Sequence, residues 1–290
     1  MKSILIVGCG DIALRVAPLL RSRYRLFGLV RNMQRATTLR TAGIIPIAGD
    51  LDHQHLARIA GVAQFVLHLA PPPNTGTSDS RTRHLLAALS RGSLPSRLVY
   101  ISTSGVYGDC GGAQVDESHP LNPQSARAAR RADAEQRIRD WAGRNRVHAS
   151  ILRVPGIYAA ERLPLERLQT GTPAIVAEQD SHTNHIHADD LARIIVAALH
   201  RAKPNRVYHA SDDSELKMGD YFDAVADAYD FPRPARLPRD EIERAVSPTL
   251  WSFMNESRRL DNARMKQELK VKLRYPTVAE ALVTIKKADL

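Results

Sequence analysis

Cysteine is scarce in this chain, with two residues, Cys9 and Cys110, among 290. They show no metal-ligand spacing and are too few for a disulfide framework, so we expect no metal site and a reducing environment. Long apolar runs are also missing, and we therefore expect no membrane span. Met1 and Lys2 lead straight into an apolar segment without a signal peptide, which favours a cytoplasmic protein with no membrane partner.

A dense basic arm is missing as well, although 41 Lys and Arg stand against 31 Asp and Glu, for a formal net charge of +10. The arginines are scattered along predicted helices among acidic residues, and basic and aromatic residues do not interleave. We therefore expect no nucleic-acid partner. With 43% hydrophobic residues, the chain can bury a core, in one large domain or in one domain with a smaller partner.

Apolar segments alternate with amphipathic ones along most of the chain. The apolar segments predict strands at 3–7, 25–30, 44–48, 64–69, 97–101, 148–153 and 206–210. The segments between them predict helices at 12–20, 35–42, 53–60, 80–90 and 124–143. This alternation is typical of an α/β fold, a Rossmann-type doubly wound parallel sheet. Ligands of such sheets bind beyond the carboxyl ends of the strands, so we expect the loops there to converge on one cleft.

The first strand runs directly into a glycine turn with the spacing G-x-G-x-x-A, formed by Gly8, Gly10 and Ala13. The first glycine permits a tight turn, the second permits close approach of a pyrophosphate, and the alanine lets the helix pack on the strand. Asp11 and Ile12 open the helix, whose free N–H groups and positive dipole end attract phosphate. This strand-turn-helix context predicts a bound dinucleotide.

The second strand ends in an arginine rather than the carboxylate that usually binds the ribose 2′-hydroxyl of NAD. Arg31 suits a 2′-phosphate, and Arg35 lies one helical turn further, so we expect NADP rather than NAD. The alternative is that Arg31 is a solvated surface residue. After the third strand, Asp50 and Leu51 are predicted to contact the adenine, although Asp50 equally suits a helix cap or turn.

A stiff proline loop follows the fourth strand. Leu69, Ala70 and Pro71 open this loop, and its successive prolines remove backbone donors. We expect these three residues to lie beside the ribose and phosphates of the cofactor. His68, just before them, is interpreted as a core histidine.

The fifth strand ends in Thr103 and Ser104, followed by Val106-Tyr107-Gly108. This pattern resembles the extended short-chain dehydrogenase/reductases, also called the NAD-dependent epimerase/dehydratase family. The resemblance implies that Thr103 is the catalytic hydroxyl, lies beside the cofactor and donates to a substrate carbonyl or alkoxide. Ser104 and Tyr107 lie on a loop predicted to border the cleft, so we expect them to contact a substrate and consider Tyr107 as a phenol donor. The alternative, which the resemblance implies, is that the tyrosine of Val-Tyr-Gly is structural.

Further segments extend the resemblance over most of the chain: Asp116-Glu117 before Pro120 and Pro123, an Arg-x-x-x-x-Tyr segment at 153–158, and Asn-His-Ile-His-Ala-Asp-Asp at 184–190. In the family, the segment after the sixth strand lies near the nicotinamide. We therefore expect Pro155 to contact the cofactor and consider Tyr158 as a catalytic phenol. The glycine turn departs from the usual T-G-x-x-G-x-x-G, which makes the chain similar to the atypical YeeZ-like group.

The predicted helix 124–143 departs from the family in its catalytic pair, Tyr-x-x-x-Lys. Alignment on Glu135 places Arg127 at the tyrosine position and Arg131 at the lysine position. Arginine stays protonated, so it is a poor general acid or base at neutral pH. The resemblance then implies that Arg131 holds the nicotinamide ribose or a phosphate and that Arg127 binds an anionic substrate group. The alternative is an exposed, salt-bridged helix face.

The domain organisation follows from these segments. Residues 1–155 and 185–210 are predicted to form the dinucleotide-binding domain, and residues 156–184 and 211–290 a smaller substrate or lid domain with helices at 219–228, 241–255 and 261–269. By resemblance to the family, helices 80–90 and 124–143 are predicted to form a homodimer interface.

Three functions remain as hypotheses at this point. The first is an NAD(P)-dependent oxidoreductase or epimerase/dehydratase-like enzyme with an altered acid/base, acting on a small carbonyl or sugar-nucleotide-like molecule. The second is a non-catalytic NADP-binding sensor or scaffold, which the missing tyrosine and lysine favour. The third, nucleic-acid binding, is supported by net charge alone.

Overall fold

The computed structural model describes residues 1–53 and 56–288. Its centre is a seven-stranded sheet whose paired strands all run parallel. In chain order these are β1 (Ser3–Val7), β2 (Arg25–Val30), β3 (Ile44–Ala48), β4 (Phe65–His68), β5 (Arg97–Thr103), β6 (His148–Val154) and β7 (Arg206–His209). Their order across the sheet is β7-β6-β5-β4-β1-β2-β3, so the chain reverses direction across the sheet between β1 and β4. The predicted Rossmann-type sheet is confirmed.

The helices lie between these strands and after them in the chain. They are α1 (Asp11–Leu20), α2 (Ala36–Thr41), α3 (Ser80–Leu89), α4 (Ala126–Asn145), α5 (Leu165–Gln169), α6 (Ala188–Arg201), α7 (Met218–Ala228), α8 (Arg239–Ala245), α9 (Pro248–Met254), α10 (Ala263–Leu269) and α11 (Val278–Ala288).

Strand β1 shows why the sheet is covered on both faces. Its five residues are all buried, and alternate side chains point to opposite faces of a strand. Ile4 and Ile6 belong to the core that α1 and α6 close, whereas Leu5 and Val7 belong to the core that α3 and α4 close. A continuous apolar run therefore becomes a central strand rather than an edge strand.

The C-terminal part builds small cores of its own. One of them, around Tyr158, joins α5, α7 and α11 through Leu168, Phe222 and Ala281. A two-residue parallel ladder between Gln114–Val115 and Arg259–Leu260 ties the chain after α9 to the loop after β5. This part of the chain is thereby held next to the carboxyl end of β5.

Two of the predicted helices differ from those observed. The predicted helix 241–255 is wrong as a single element, because it is divided into α8 and α9 with extended backbone at Val246 and Ser247. Pro248, at the first position of α9, cannot continue a preceding helix. Of the predicted helix 53–60, only the 3₁₀ turn Ala57–Ile59 is observed, and positions 54 and 55 lie outside the described residues.

A helix that crosses a bilayer must be both long and apolar. Within residues 1–53 and 56–288, no helix combines the length and the apolar character that crossing a membrane requires.

Candidate functional site

A cleft of about 520 Å³ opens at the carboxyl ends of β1, β2, β4 and β5. This is the position at which parallel sheets of this kind bind ligands, beside the reversal of strand order. Most of the residues predicted to bind the cofactor line it: Gly8, Gly10, Asp11, Ile12, Arg31, Asp50, Leu51, Leu69, Ala70, Pro71 and Arg131. The structure thus brings together residues from five separate stretches of sequence.

The two glycines of the turn have different surroundings. Gly8 has φ +95°, and a Cβ built on it would lie 2.4 Å from the backbone nitrogen of Ala70, so the proline loop packs directly on the turn. A Cβ built on Gly10 meets nothing within 4 Å and would point into open space. Gly10 is also the N-cap of α1. Because glycine has no side chain, the capping residue offers no acceptor to the first-turn N–H groups of this helix.

A carboxylate stands at this helix start and is paired with arginines. Asp11 pairs with Arg15 at 3.0 Å and with Arg162 at 3.1 Å, and Arg162 also lines the cleft. Arg15 also pairs with Glu161 and Asp189, so two arginines face three carboxylates around this helix start. The sequence pattern did not identify Arg162, because it comes from the segment after β6, far along the chain.

Arginines surround the other end of the cleft, beyond β2. Arg31, with a side chain 67% exposed, and Arg35 line it together with Arg81 from α3. Arg81 donates two hydrogen bonds of 2.7 Å to Asp52, which lowers the pKa of that carboxyl. Arg31 lies 3.8 Å from the same carboxylate. Because Asp52 is engaged by Arg81, positive charge predominates here.

The two residues predicted at the adenine lie in a tight turn. The Asp50 carboxylate accepts a hydrogen bond of 3.0 Å from the Asp52 backbone N–H and lies 3.3 Å from His53. Asp50 thus has the turn role that was considered as its alternative, while still lining the cleft. Leu51 is buried, and its carbonyl oxygen lies 2.7 Å from Nδ1 of His84, which fixes its position under the cleft floor.

Arg131 reaches the cleft from α4. Its guanidinium donates to the Ile101 carbonyl at 2.6 Å and to the Tyr100 hydroxyl at 3.1 Å, so it is anchored to the end of β5. Thr103 is half-buried and accepts a hydrogen bond of 3.2 Å from the Gly105 N–H. Thr103 and Pro155 lie at the ends of their strands beside the cleft but not among its lining residues.

The predicted substrate residue Tyr107 lies in a buried network away from the cleft. Its hydroxyl accepts a 2.6 Å hydrogen bond from Arg153 and lies 2.6 Å from Nε2 of His209. Burial raises the pKa of the Tyr107 hydroxyl to about 12. Arg153 also makes two hydrogen bonds to Glu135, so Glu135 belongs to this buried network and not to an exposed helix face. The alternative of a fully exposed, salt-bridged face of α4 is wrong at this position.

Tyr158, Ser104 and Arg127 also lie outside the cleft lining. Tyr158 is buried, with its ring 5.3 Å from that of His187, and burial raises the pKa of its hydroxyl. Ser104 is buried where a 3₁₀ turn begins after β5. The Arg127 guanidinium stacks on the Phe253 ring at 3.8 Å. Neither Tyr107 nor Tyr158 is therefore placed as a phenol facing the cleft.

A metal centre requires several His, Cys, Asp or Glu side chains close together. Among the described residues, no three His, Cys, Asp or Glu side chains are grouped closely enough to hold a metal ion. The thiol of Cys9, inside the glycine turn, is buried, which raises its pKa to about 12.

The parallel sheet, its strand order and the glycine turn define a protein of the Rossmann class. A family model described as "NAD dependent epimerase/dehydratase family" matches residues 4–210, and the chain belongs to this family. The family resemblance expected from the sequence is confirmed. The YeeZ-like subgroup stays a prediction.

Curated relatives match the same part of the chain. The dTDP-glucose 4,6-dehydratase of Mycobacterium tuberculosis is 27% identical over 192 residues, which covers 58% of this chain and 57% of that protein. Human dTDP-D-glucose 4,6-dehydratase is 22% identical over 193 residues, covering 59% and 55%. The chain thus matches a little over half the length of these relatives.

Solved structures match over nearly all of the chain. A functionally unknown conserved protein from Silicibacter pomeroyi has 28% identity and a TM-score of 0.81, covering 100% of this chain and 99% of that one. The UDP-glucuronic acid 4-epimerase from Bacillus cereus, solved with UDP-glucuronic acid and NAD, has 18% identity and a TM-score of 0.78, with 98% of each chain covered. At that identity, the second likeness supports the fold alone.

Proposed function

We propose that this chain binds NADP in the cleft, with the pyrophosphate at the N-terminus of α1 and the adenosine 2′-phosphate near Arg31 and Arg35. The residues fit such a group. Gly10 leaves its side of the turn open, and the first-turn N–H groups of α1 carry no side-chain cap. The B. cereus epimerase of the same fold was solved with NAD, which supports a nicotinamide dinucleotide in general.

The preference for NADP rests on the charge beyond β2. Arginine binds phosphate through several donors at once, and Arg31 and Arg35 both line the cleft there. A site for NAD instead presents a free carboxylate to the ribose hydroxyls. Asp52, the carboxylate closest to Arg31, is already held by two hydrogen bonds from Arg81. This arginine group is the observation that carries the proposal.

The nicotinamide end would lie near Ile101, Arg131 and Ile157, which line the opposite part of the cleft. Arg131, fixed by Ile101 and Tyr100, has the position from which a guanidinium can hold the nicotinamide ribose. The bound dinucleotide supplies hydride transfer. The Thr103 hydroxyl would donate to the oxygen of a small carbonyl or sugar-nucleotide-like substrate and stabilise charge there. The proposed activity is therefore that of an NADP-dependent oxidoreductase or epimerase.

A non-catalytic NADP-binding protein is the second candidate. Helix α4 contains neither tyrosine nor lysine, and Tyr107 and Tyr158 are buried away from the cleft. A carbonyl substrate screen separates the two candidates. Turnover that is lost in Thr103→Val supports the enzyme, whereas NADPH binding without turnover supports the sensor or scaffold.

The cofactor preference is tested by Arg31→Glu. A 2′-phosphate would lose its partner and meet a like charge, so NADPH affinity should fall by about a hundredfold, while NADH affinity changes by less than about threefold. Calorimetric titration measures both. Arg40→Glu makes the same charge change on the exposed face of α2, outside the cleft lining, and should leave both affinities unaltered. Equal losses for NADPH and NADH in Arg31→Glu would rule out the 2′-phosphate contact.

The remaining predictions belong to the same proposal: a cytoplasmic location, a substrate domain of residues 156–184 and 211–290, and a homodimer through α3 and α4. The groove between α3 and α4 supports the last of these, because it is lined by Trp141 together with Arg83, Arg137 and Asp140, residues able to form ion pairs with a second copy. Sedimentation velocity of the protein and of Arg137→Glu measures this association.

A further inference from the structure

Four arginines are grouped where the first half of α4 faces the chain after α9. Arg127, Arg130 and Arg131 lie on α4, and Arg258 follows α9. Burial lowers the pKa of the Arg127 guanidinium, and the positive charges of the other three arginines lower it further. The negative charge of Glu256 acts in the opposite direction and raises the pKa of Arg127. The group therefore carries an excess of positive charge.

The carboxylate of Glu256 is already engaged. Arg258 donates two hydrogen bonds of 2.9 Å to Oε2 of Glu256, and both residues are buried. Arg130, 7% exposed, donates to the Gly76 carbonyl, and Arg131 donates to the end of β5. Within residues 1–53 and 56–288, Arg127, Arg130 and Arg131 form no ion pair.

Arg127 is the member of the group whose donors are free. The central carbon of its guanidinium lies over the Phe253 ring, 3.8 Å from the ring centroid. In the described part of the chain it makes no hydrogen bond. Holding a half-buried guanidinium beside three others costs free energy unless an anion neutralises the charge. Glu256 offsets one of these positive charges, and the remaining excess can attract a further anion.

The position of this group relates it to the proposed reaction. The point where a Cβ on Gly105 would sit lies 3.6 Å from Oγ1 of Thr103 and 3.9 Å from Oε2 of Glu256. Glu256 therefore lies beside Gly105, two residues after the hydroxyl proposed to act on substrate. Arg131 belongs both to the arginine group and to the cleft lining, so the group adjoins the nicotinamide end.

We infer that Arg127, supported by Arg131, binds an anionic group of the substrate, so that the substrate is a small acid bearing a carboxylate or a phosphate. The inference rests on the proposed function, because the bound anion is a substrate only if the cofactor occupies the adjoining cleft. The Phe253 ring packs against the Arg127 guanidinium, and Arg258 engages Oε2 of Glu256. A carboxylate and a phosphate share one chemistry here, because each presents an oxyanion to the guanidinium, planar in the first and tetrahedral in the second.

The test is calorimetric titration of NADPH-saturated protein with sodium oxalate and, separately, with inorganic phosphate, at constant ionic strength. One anion should bind in one site per chain, and Arg127→Gln should weaken it at least tenfold. The matched control is Arg144→Gln, which removes the same charge from the exposed end of α4. This control should keep the affinity of the original protein. Preference for oxalate indicates a carboxylic acid substrate, and preference for phosphate indicates a phosphorylated one.

Equal anion affinity in Arg127→Gln and Arg144→Gln would overturn the inference, as would absence of binding by both probes or release of the anion by NADPH. Arg127→Lys, which keeps the charge, should retain part of the affinity even if Arg127→Gln folds poorly, and thermal unfolding of each variant shows which case applies. NADPH affinity is measured in parallel and should be unchanged in Arg127→Gln. Failure of NADPH to bind, with anion binding that still depends on Arg127, would refute the proposed function and not the anion site.

Discussion

Gly8 and Gly10 illustrate at residue scale how one motif combines folding and binding. Gly8→Ala would require an L residue at φ +95° and would bring Cβ to 2.4 Å from the Ala70 nitrogen. We expect a loss of at least about 2 kcal/mol in the free energy of unfolding, measured by urea denaturation. A stability change below about 0.5 kcal/mol would contradict the close packing of the proline loop on this turn.

Gly10→Ala should have the opposite profile. The added Cβ meets no protein atom within 4 Å but enters the space proposed for the pyrophosphate. Stability should change by less than about 1 kcal/mol, because φ is negative at this N-cap position, while NADPH affinity falls roughly tenfold or more. Unchanged NADPH affinity in this variant would place the pyrophosphate elsewhere.

The candidate site was predicted from sequence where it follows local motifs. The glycine turn, Arg31 and the proline loop each come directly after a strand, so their place at the cleft followed from topology. Arg81 and Arg162 were missed, because a side chain reaches the cleft from α3 or from the segment after β6 only through tertiary packing. Tyr107 was predicted at the substrate, but its hydroxyl instead meets Arg153 and His209, partners 46 and 102 residues away in sequence.

At the scale of elements, the ion pair of Arg153 and Glu135 joins β6 to α4. Both side chains are buried, and Arg153 makes two hydrogen bonds to the carboxylate. Glu135→Ala would leave a buried guanidinium without its counter-charge, and we expect a loss of about 3–5 kcal/mol in the free energy of unfolding. Glu243→Ala, at an exposed carboxylate of α8, should cost less than about 0.5 kcal/mol. Similar losses for the two variants in urea denaturation would contradict this assignment.

Strand prediction succeeded because parallel strands here are largely apolar runs, as in 25–30 and 44–48, whose bounds agree with β2 and with the partly buried edge strand β3. Helix prediction was weaker in the C-terminal part. There the elements are short and their packing depends on distant contacts, such as that of Met254 in α9 with Ile175. The break at Pro248 had a local signal, but the amphipathic pattern on both sides outweighed it.

At the scale of the whole molecule, buried histidines make stability depend on pH. Burial lowers the pKa of His68 and His185 to about 3 and that of His209 to about 4. These residues stay neutral in the folded state but bind protons near pH 6.5 when unfolded. Their contribution is complete above pH 6.5 and is lost as the pH falls toward 4. Burial raises the pKa of Asp212 to about 7. Below that pH the folded state binds one proton there that the unfolded state does not, which opposes this trend.

The net effect should be a decline in the free energy of unfolding between pH 6.5 and 4, approaching a slope of about 1.4 kcal/mol per pH unit for each net proton. Urea denaturation at pH 7, 6 and 5 measures it. A stability that is constant or rises on acidification would contradict the burial of these side chains in their neutral form.

The central claim is that the cleft binds NADP. Calorimetric titration of the purified protein with NADPH and with NADH tests it most directly, after mass spectrometry has established whether a nucleotide co-purifies. We predict one NADPH per chain, bound at least about thirtyfold more tightly than NADH, which corresponds to about 2 kcal/mol. Binding of neither dinucleotide to nucleotide-free protein would contradict the account, since the glycine turn would then serve the fold alone.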